Sequence, residues 1–269
     1  MNEIAKVFVK LAANSEAALI GYVMCGDPSP KHTTTIADAL IKGGIDILEL
    51  GLPFSDPIAD GPTIQAASTR ALKARTTPRI VLETVREIKK KHDIPVVVMT
   101  YYNPVFKMGL ETFFDSAGSC GVDGVIVPDL PIEEAQDFRQ AADTTCIDTI
   151  FLAAPSTTNE RLAKILECSH GFLYLVSHFG VTGAKTTVEN STITLIKRVK
   201  SFAARRVPLA VGFGVSQPHH VKRIIEAGAD GVIVGSAFVN VVADNLRNVK
   251  SASRELTLVA RGLKEATLN

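Results

Sequence analysis

Cysteine is scarce and scattered in this 269-residue chain: Cys25, Cys120, Cys146 and Cys168 form no C-x-x-C pair, and no histidine stands at metal-ligand spacing. That pattern excludes a structural zinc site and suits reduced thiols in a cytoplasmic protein. Net charge is also nearly absent, with 29 Lys and Arg against 28 Asp and Glu. Bulk electrostatics therefore gives no reason to expect nucleic acid as a partner. The strongest local charge run, Lys89, Lys90, Lys91 and His92, suits the solvated C-terminal end of a helix, where cations complement the helix dipole. Low-complexity tracts and linkers are missing too, so residues 1–269 are expected to form a single domain.

What is present is a weak internal repeat. GGIDILELG from Gly43, CGVDGVIVPD from Cys120 and AGADGVIVGS from Ala227 share a small residue and a glycine before an apolar-Asp step, and ARRVPLAVGFG from Ala204 resembles them loosely. Each reads as a helix cap and short turn leading into a strand rich in β-branched residues. Collecting such runs predicts eight strands at residues 19–24, 46–50, 95–100, 124–127, 149–153, 172–176, 208–211 and 231–234. They are almost continuously apolar, as parallel strands covered on both faces must be. Between them Ile36, Ala39 and Leu40, then Ile80, Val81, Val85 and Ile88, then Leu162, Ile165 and Leu166 form helical stripes.

Eight strands alternating with helices allow a closed barrel or an open doubly wound sheet. No G-x-G-x-x-G follows the first strand, and the glycine-rich strand ends fall in the last units, where barrels bind phosphate. The prediction is a (β/α)8 TIM barrel with an extended loop after strand 2. Residues 1–14 carry Ile4, Val7, Phe8 and Leu11 at helical spacing, interrupted by Lys6 and Lys10. This stretch is too polar and short for a membrane span and lacks a small-residue cleavage site, so it reads as an extra N-terminal helix closing the barrel floor.

Three turns on the last strands point to an anion. VGFGVSQP carries Gly212, Gly214 and Ser216, VGSA places the amides of Gly235 and Ser236 at a helix start, and GVTGAK forms a third flexible turn. One such turn would mean little, but three at one end of a barrel favour a phosphorylated substrate. The acid-base signal is Glu49 within IDILELG. A carboxylate in a buried strand costs several kcal/mol, of order 2–7 for an unpaired polar group and more for a charge, unless it is paired or neutralised. Beyond it, the loop at 52–65 is long and punctuated by Pro and Gly, and such loops are usually functional. Asp56 and Asp60 are both candidates for a second carboxylate over Glu49, with Asp60 preferred; both also fit as turn residues, before Pro57 and Gly61.

No predicted strand carries a lysine, and all six histidines fall in loops or helices. A Schiff-base nucleophile or strand-borne metal site is therefore not expected, and a barrel that broke a carbon-carbon bond would need its substrate to act as electron sink. Competing readings are a phosphosugar isomerase or epimerase, a flavin enzyme on the same half-barrel, or a barrel that binds ligand without turnover.

Across essentially its whole length the chain resembles the tryptophan synthase α subunit family. The resemblance rests on ELGLPFSDPIADGPTIQ from Glu49, MTYYNPV from Met99, VPDLP from Val127, GVTGAK, GFGVS and VGSA. It implies retro-aldol cleavage of indole-3-glycerol phosphate to indole and glyceraldehyde 3-phosphate, with Glu49 moving the proton and Asp60 holding the ring N–H. It further implies that Tyr174 stands near the aspartate and that Tyr22, Thr100 and Val127 line the indole pocket. Gly183, Gly212, Gly214, Gly235 and Ser236 would cradle phosphate. Residues 177–190 would form a lid whose Thr182 reaches Asp60, although His178 and Phe179 depart from the more polar family pattern. No cofactor is implied for this chain. Pyridoxal phosphate would belong to a β-subunit partner in an α2β2 assembly, docked around residues 53–56 and 102–106.

Overall fold

The computed structural model describes residues 2–176, 185–203, 207–212 and 214–268. Its strands are β1 (Ala18–Met24), β2 (Ile47–Gly51), β3 (Val96–Met99), β4 (Gly124–Ile126), β5 (Asp148–Ile150), β6 (Leu152–Ala153), β7 (Leu173–Val176), β8 (Leu209–Gly212) and β9 (Gly231–Val234). Every strand pairing is parallel, in the order β5-β4-β3-β2-β1-β9-β8-β7-β6. The two ends of that order, β5 and β6, are separated only by Phe151. They are therefore two halves of one strand, the first bonded to β4 and the second to β7, and the sheet closes as an eight-stranded barrel.

The wall comprises α2 (Pro30–Lys42), α3 (Pro62–Lys73), α4 (Pro78–Lys91), α5 (Tyr102–Met108), α6 (Leu110–Cys120), α7 (Gln136–Thr144), α8 (Asn159–Cys168), α9 (Lys185–Ala203), α10 (Pro218–Glu226), α11 (Ser236–Asp244) and α12 (Val249–Glu265). Their starts follow local chemistry. Thr77 caps α4 by accepting the Ile80 N–H, with Pro78 in the first turn, and Lys89, Lys90 and Lys91 occupy the last turn. Two expected loops are shorter than the sequence suggests. Residues 62–65 of the loop after β2 are already the first turn of α3, where Pro62 sets the helical φ, and residues 185–190 belong to α9.

Strand alternation sorts the core into two clusters. Leu48, Leu50, Val96, Val98, Val125 and Val232 face the helices, whereas Ile20, Ile47, Val97, Ile126, Ile150, Phe172, Ala210 and Ile233 fill the barrel interior. The expected N-terminal helix is α1 (Glu3–Ala13), which inserts Ile4, Phe8 and Leu11 into that interior cluster from below. Asn2 caps it and donates to Asp148, so one side chain starts the helix and ties it to β5.

The sequence repeat becomes a three-fold clamp at this floor. Asp46, Asp123 and Asp230 accept the N–H of Leu19, Val96 and Leu209 at 2.7, 2.8 and 2.9 Å, and return their own N–H to the same residues' carbonyls. Each carboxylate also meets a lysine: Lys264 at 3.0 Å, Lys89 at 3.0 Å and Lys200 at 3.5 Å. The preceding Gly44, Gly121 and Gly228 all have positive φ, and the same three lysine stems run over them. Glycine, aspartate and a distant lysine thus form one unit that locks neighbouring strands in register. Lys89, which reads from sequence as part of a solvated run, is instead committed to Asp123.

Candidate active site

One layer above the interior cluster, the same alternation turns chemistry into the barrel mouth. Two residues beyond Ile20, Ile47, Val97, Ile150 and Phe172 stand Tyr22, Glu49, Met99, Leu152 and Tyr174, and two beyond Ala210 and Ile233 stand Gly212 and Gly235. Those last positions must be small. A Cβ on Gly212 would lie 2.3 Å from the Tyr174 hydroxyl, one on Gly51 would lie 2.3 Å from the Tyr22 hydroxyl, and one on Gly235 would touch the Tyr22 ring at 3.3 Å. Two phenols, Tyr22 buried and Tyr174 partly buried, therefore lie across glycines at the C-terminal strand ends.

Glu49 stands opposite Tyr22 in the β1–β2 register and is 1% exposed. Its Oε2 has no hydrogen-bond partner among the described residues. Burial, and then the nearby charge of Asp60, push its pKa from 4.5 up to about 8. Asp60 lies on the loop that leaves β2, and burial raises its pKa from 3.8 to about 6, opposed by a hydrogen bond with Tyr101. Both carboxylates act on the two mouth phenols, whose pKa values are driven up chiefly by burial. Asp56, the other candidate from the sequence, is exposed and bonds to its neighbour Ser55.

Not every expected pocket residue faces this mouth. Thr100 shares the outward parity of Val96 and Val98, and Val127 packs in the helix-facing cluster. Met99, which sequence reasoning passes over, has the inward parity expected of Thr100. The other omission is Tyr101, 3% exposed at the end of β3. Counting in twos from Val97 would have found Met99. An aromatic pair directly after a strand end, beside a long loop, was the available signal for Tyr101.

On the opposite rim, Gly214 adopts a φ of +74°, and Gly235 precedes the first turn of α11 with its backbone amides uncapped by any side chain. Ser236 follows as the first helical residue, half-buried. These amides, at the positive end of a helix dipole, suit a phosphate. Thr182 and Gly183, together with residues 177–181 of the expected lid, lie outside the described residues. Among the described residues, no group of three His, Cys, Asp or Glu side chains could hold a metal ion, and no helix is long and apolar enough to cross a membrane. An open groove of about 600 Å³ between α2 and α12, lined by Asp38, Lys42, Arg254, Leu258 and Arg261, lies on the outer wall and takes in none of the mouth groups.

Residues 8–268 match the family model described as tryptophan synthase alpha chain. The chain belongs to that family. A tryptophan synthase alpha chain of Methanosarcina acetivorans is 47% identical over 266 residues, covering 99% of this chain and 94% of the relative. The crystal structure of the tryptophan synthase alpha chain of Legionella pneumophila superposes with a TM-score of 0.89 at 34% identity, covering 99% of this chain and 97% of the other. A structure described as the tryptophan synthase α2β2 complex of Pyrococcus furiosus matches with a TM-score of 0.86 at 40% identity, covering 92% and 98%. Membership in a family of tryptophan synthase alpha chains selects the lyase over the isomerase, epimerase and flavin readings.

Proposed function

We propose that this chain cleaves indole-3-glycerol phosphate to indole and glyceraldehyde 3-phosphate at its barrel mouth, and that a β subunit carries the indole onward. The observation that carries this reading is the fully buried Glu49 carboxyl, unpartnered at Oε2 among the described residues and close to Asp60: burial pushes its pKa up to about 8 and that of Asp60 to about 6, which suits the first to act as an acid and the second as an anion. Glu49 gives its proton to C3 of the indole. The ring nitrogen gains iminium character, and its N–H bonds to the Asp60 carboxylate, which balances the charge. The bond from C3 to the glycerol carbon then breaks, its electron pair returning to the ring. Glu49, now a carboxylate, takes the proton of the adjacent glycerol hydroxyl, whose oxygen becomes the aldehyde carbonyl. One proton is given and one taken, so the acid is regenerated.

The ring is its own electron sink, so the step calls on no amine, metal or cofactor of this chain, and pyridoxal phosphate belongs to the β subunit. Tyr22, Met99, Leu152 and Tyr174 supply the flat apolar floor for indole. The amides at Gly214, Gly235 and Ser236 hold the phosphate, with Gly212 keeping the strand end open beneath. Thr182 and Gly183 are assigned to the lid and cradle by the family pattern.

The docking face for the β subunit centres on the rim beside this mouth. There Ile58 is 82% and Phe106 66% exposed, the Phe106 ring lying 5.9 Å from that of Tyr102 and tilted by 34°. Large apolar side chains so exposed on a loop and its neighbouring helix mark an interaction surface. Purified chain should release indole from indole-3-glycerol phosphate slowly, and faster when the β subunit is added. Phe106→Asp should keep the slow rate and lose the stimulation. Undiminished turnover in both Glu49→Gln and Asp60→Asn would end this assignment.

A further inference from the structure

Asp60 stands nine residues beyond the end of β2, on a loop that no sheet supports. Within that loop, Ile58 N–H bonds to Asp56 and Asp60 N–H to Pro57, which shapes the turn without fixing it to the barrel. Phe54 is tied to Ser68 of α3 in both directions, and Gln65 of α3 donates to the Asp60 carbonyl at 2.8 Å. Neither contact orients the Asp60 carboxyl. Tyr101 meets the loop from the end of β3: its ring stacks on Phe54 at 5.3 Å and 28°, and its hydroxyl accepts the Ala59 N–H at 3.1 Å. With one lone pair taken by that amide, the phenol proton is left free to turn towards the neighbouring Asp60 carboxyl, whose pKa the Tyr101 hydroxyl lowers.

We infer that Tyr101 is a positioning residue: by taking the Ala59 N–H and giving its own proton to Asp60, it aims the second carboxylate across the barrel mouth. The inference rests on the reading of Asp60 as the group that holds the indole N–H. Burial beside two carboxylates, Asp60 and Asp129, pushes the Tyr101 pKa up, which keeps it a neutral donor. The other titratable groups facing this cluster are Glu49 from β2, Tyr22 from β1 and Tyr174 from β7. A hydroxyl so held does not need to touch the substrate. It acts by lowering the Asp60 pKa and by removing the carboxyl's rotational freedom, and a donor to a charged group is the strong kind of hydrogen bond.

Tyr101→Phe keeps the ring, the stacking on Phe54 and the burial, and deletes only the hydroxyl. In the full chain, alone and with its β subunit, kcat should fall on the order of 10-fold, the rate equivalent of one charge-assisted hydrogen bond, while KM changes by less than about threefold. The acid limb of the kcat/KM profile, set by Asp60, should move to higher pH and the alkaline limb should stay in place. A merely supportive tyrosine would lower the rate with both limbs unmoved, and that result overturns the inference. So does a Tyr101→Phe rate within about twofold of the parent. Should this variant fold poorly, 3-fluorotyrosine at position 101 is nearly isosteric and a stronger donor. It should move the acid limb to lower pH, and a stationary limb is again fatal. Asp60→Asn separates the two levels: full turnover there removes the reading of the site itself, whereas an inactive Asp60→Asn beside an unaffected Tyr101→Phe removes Tyr101 alone.

Discussion

The barrel carries carboxylates at both ends, and they live under opposite rules. At the floor, Asp46, Asp123 and Asp230 each meet a backbone N–H and a lysine. At the mouth, Glu49 is 1% exposed and leaves Oε2 without a partner among the described residues, while Asp60 is partly buried beside the Tyr101 hydroxyl, which lowers its pKa. Paired charge in a protein locks geometry, and unpaired buried charge raises its pKa and becomes available for proton transfer. Partners thus set the three clamp aspartates apart from Glu49; Asp148, at the foot of β5, stands between the two kinds, bonded to Asn2 through one oxygen while burial raises its pKa to about 6.

The sharpest way to break this contrast is Glu49→Gln. Loss of general acid-base catalysis should lower kcat by about 10²- to 10⁴-fold, read as indole release, with the fold intact. Asp123→Ala should do the reverse. It strips the Val96 N–H and Lys89 of their shared acceptor, so stability should fall by about 2–4 kcal/mol in urea titrations while activity per folded molecule is kept. A catalytic defect in that variant, with stability unchanged, would erase the division between floor and mouth.

The pH dependence of stability sharpens the same contrast. Because Glu49 titrates at about 8 in the folded chain against 4.5 for an unperturbed glutamate, folding takes up a proton between those limits. Its stabilising contribution is complete below pH 4.5 and is lost as the pH rises through about 8. Glu49→Gln should thus flatten the stability profile across that window and gain about 1–2 kcal/mol at its upper end, the usual relation of an active-site charge to stability. Parallel profiles for the two proteins would contradict the burial of this carboxyl. The smallest effect is expected from Asn2→Ala, which removes the α1 cap and the Asp148 contact, at about 1 kcal/mol in thermal denaturation and with no change in kcat.

Much of this organisation is legible in the residues. The eight apolar runs reappear as strands with ends shifted by at most one position, except that Phe151 interrupts the fifth; the N-terminal stripe of Ile4, Phe8 and Leu11 fills the floor. The Gly-x-Asp repeat is visible as a pattern, but its meaning is not, because the lysines that complete it come from 34 residues before Asp123 and 218 after Asp46. The pocket shows the same limit. The family resemblance implies Thr100 and Val127 as lining residues, yet strand parity turns both away and brings Met99 inward.

Periodicity, glycine placement and an acidic residue inside an apolar run are local properties, and those determined by themselves the strand count, the glycine-rich rim and the singular position of Glu49. Which carboxylates find cations, which face of a strand end meets the mouth, and that Tyr101 reaches back over 42 positions to the Ala59 amide were decided only when the barrel closed. Such pairings depend on distance in space, and a chain acquires those distances by folding.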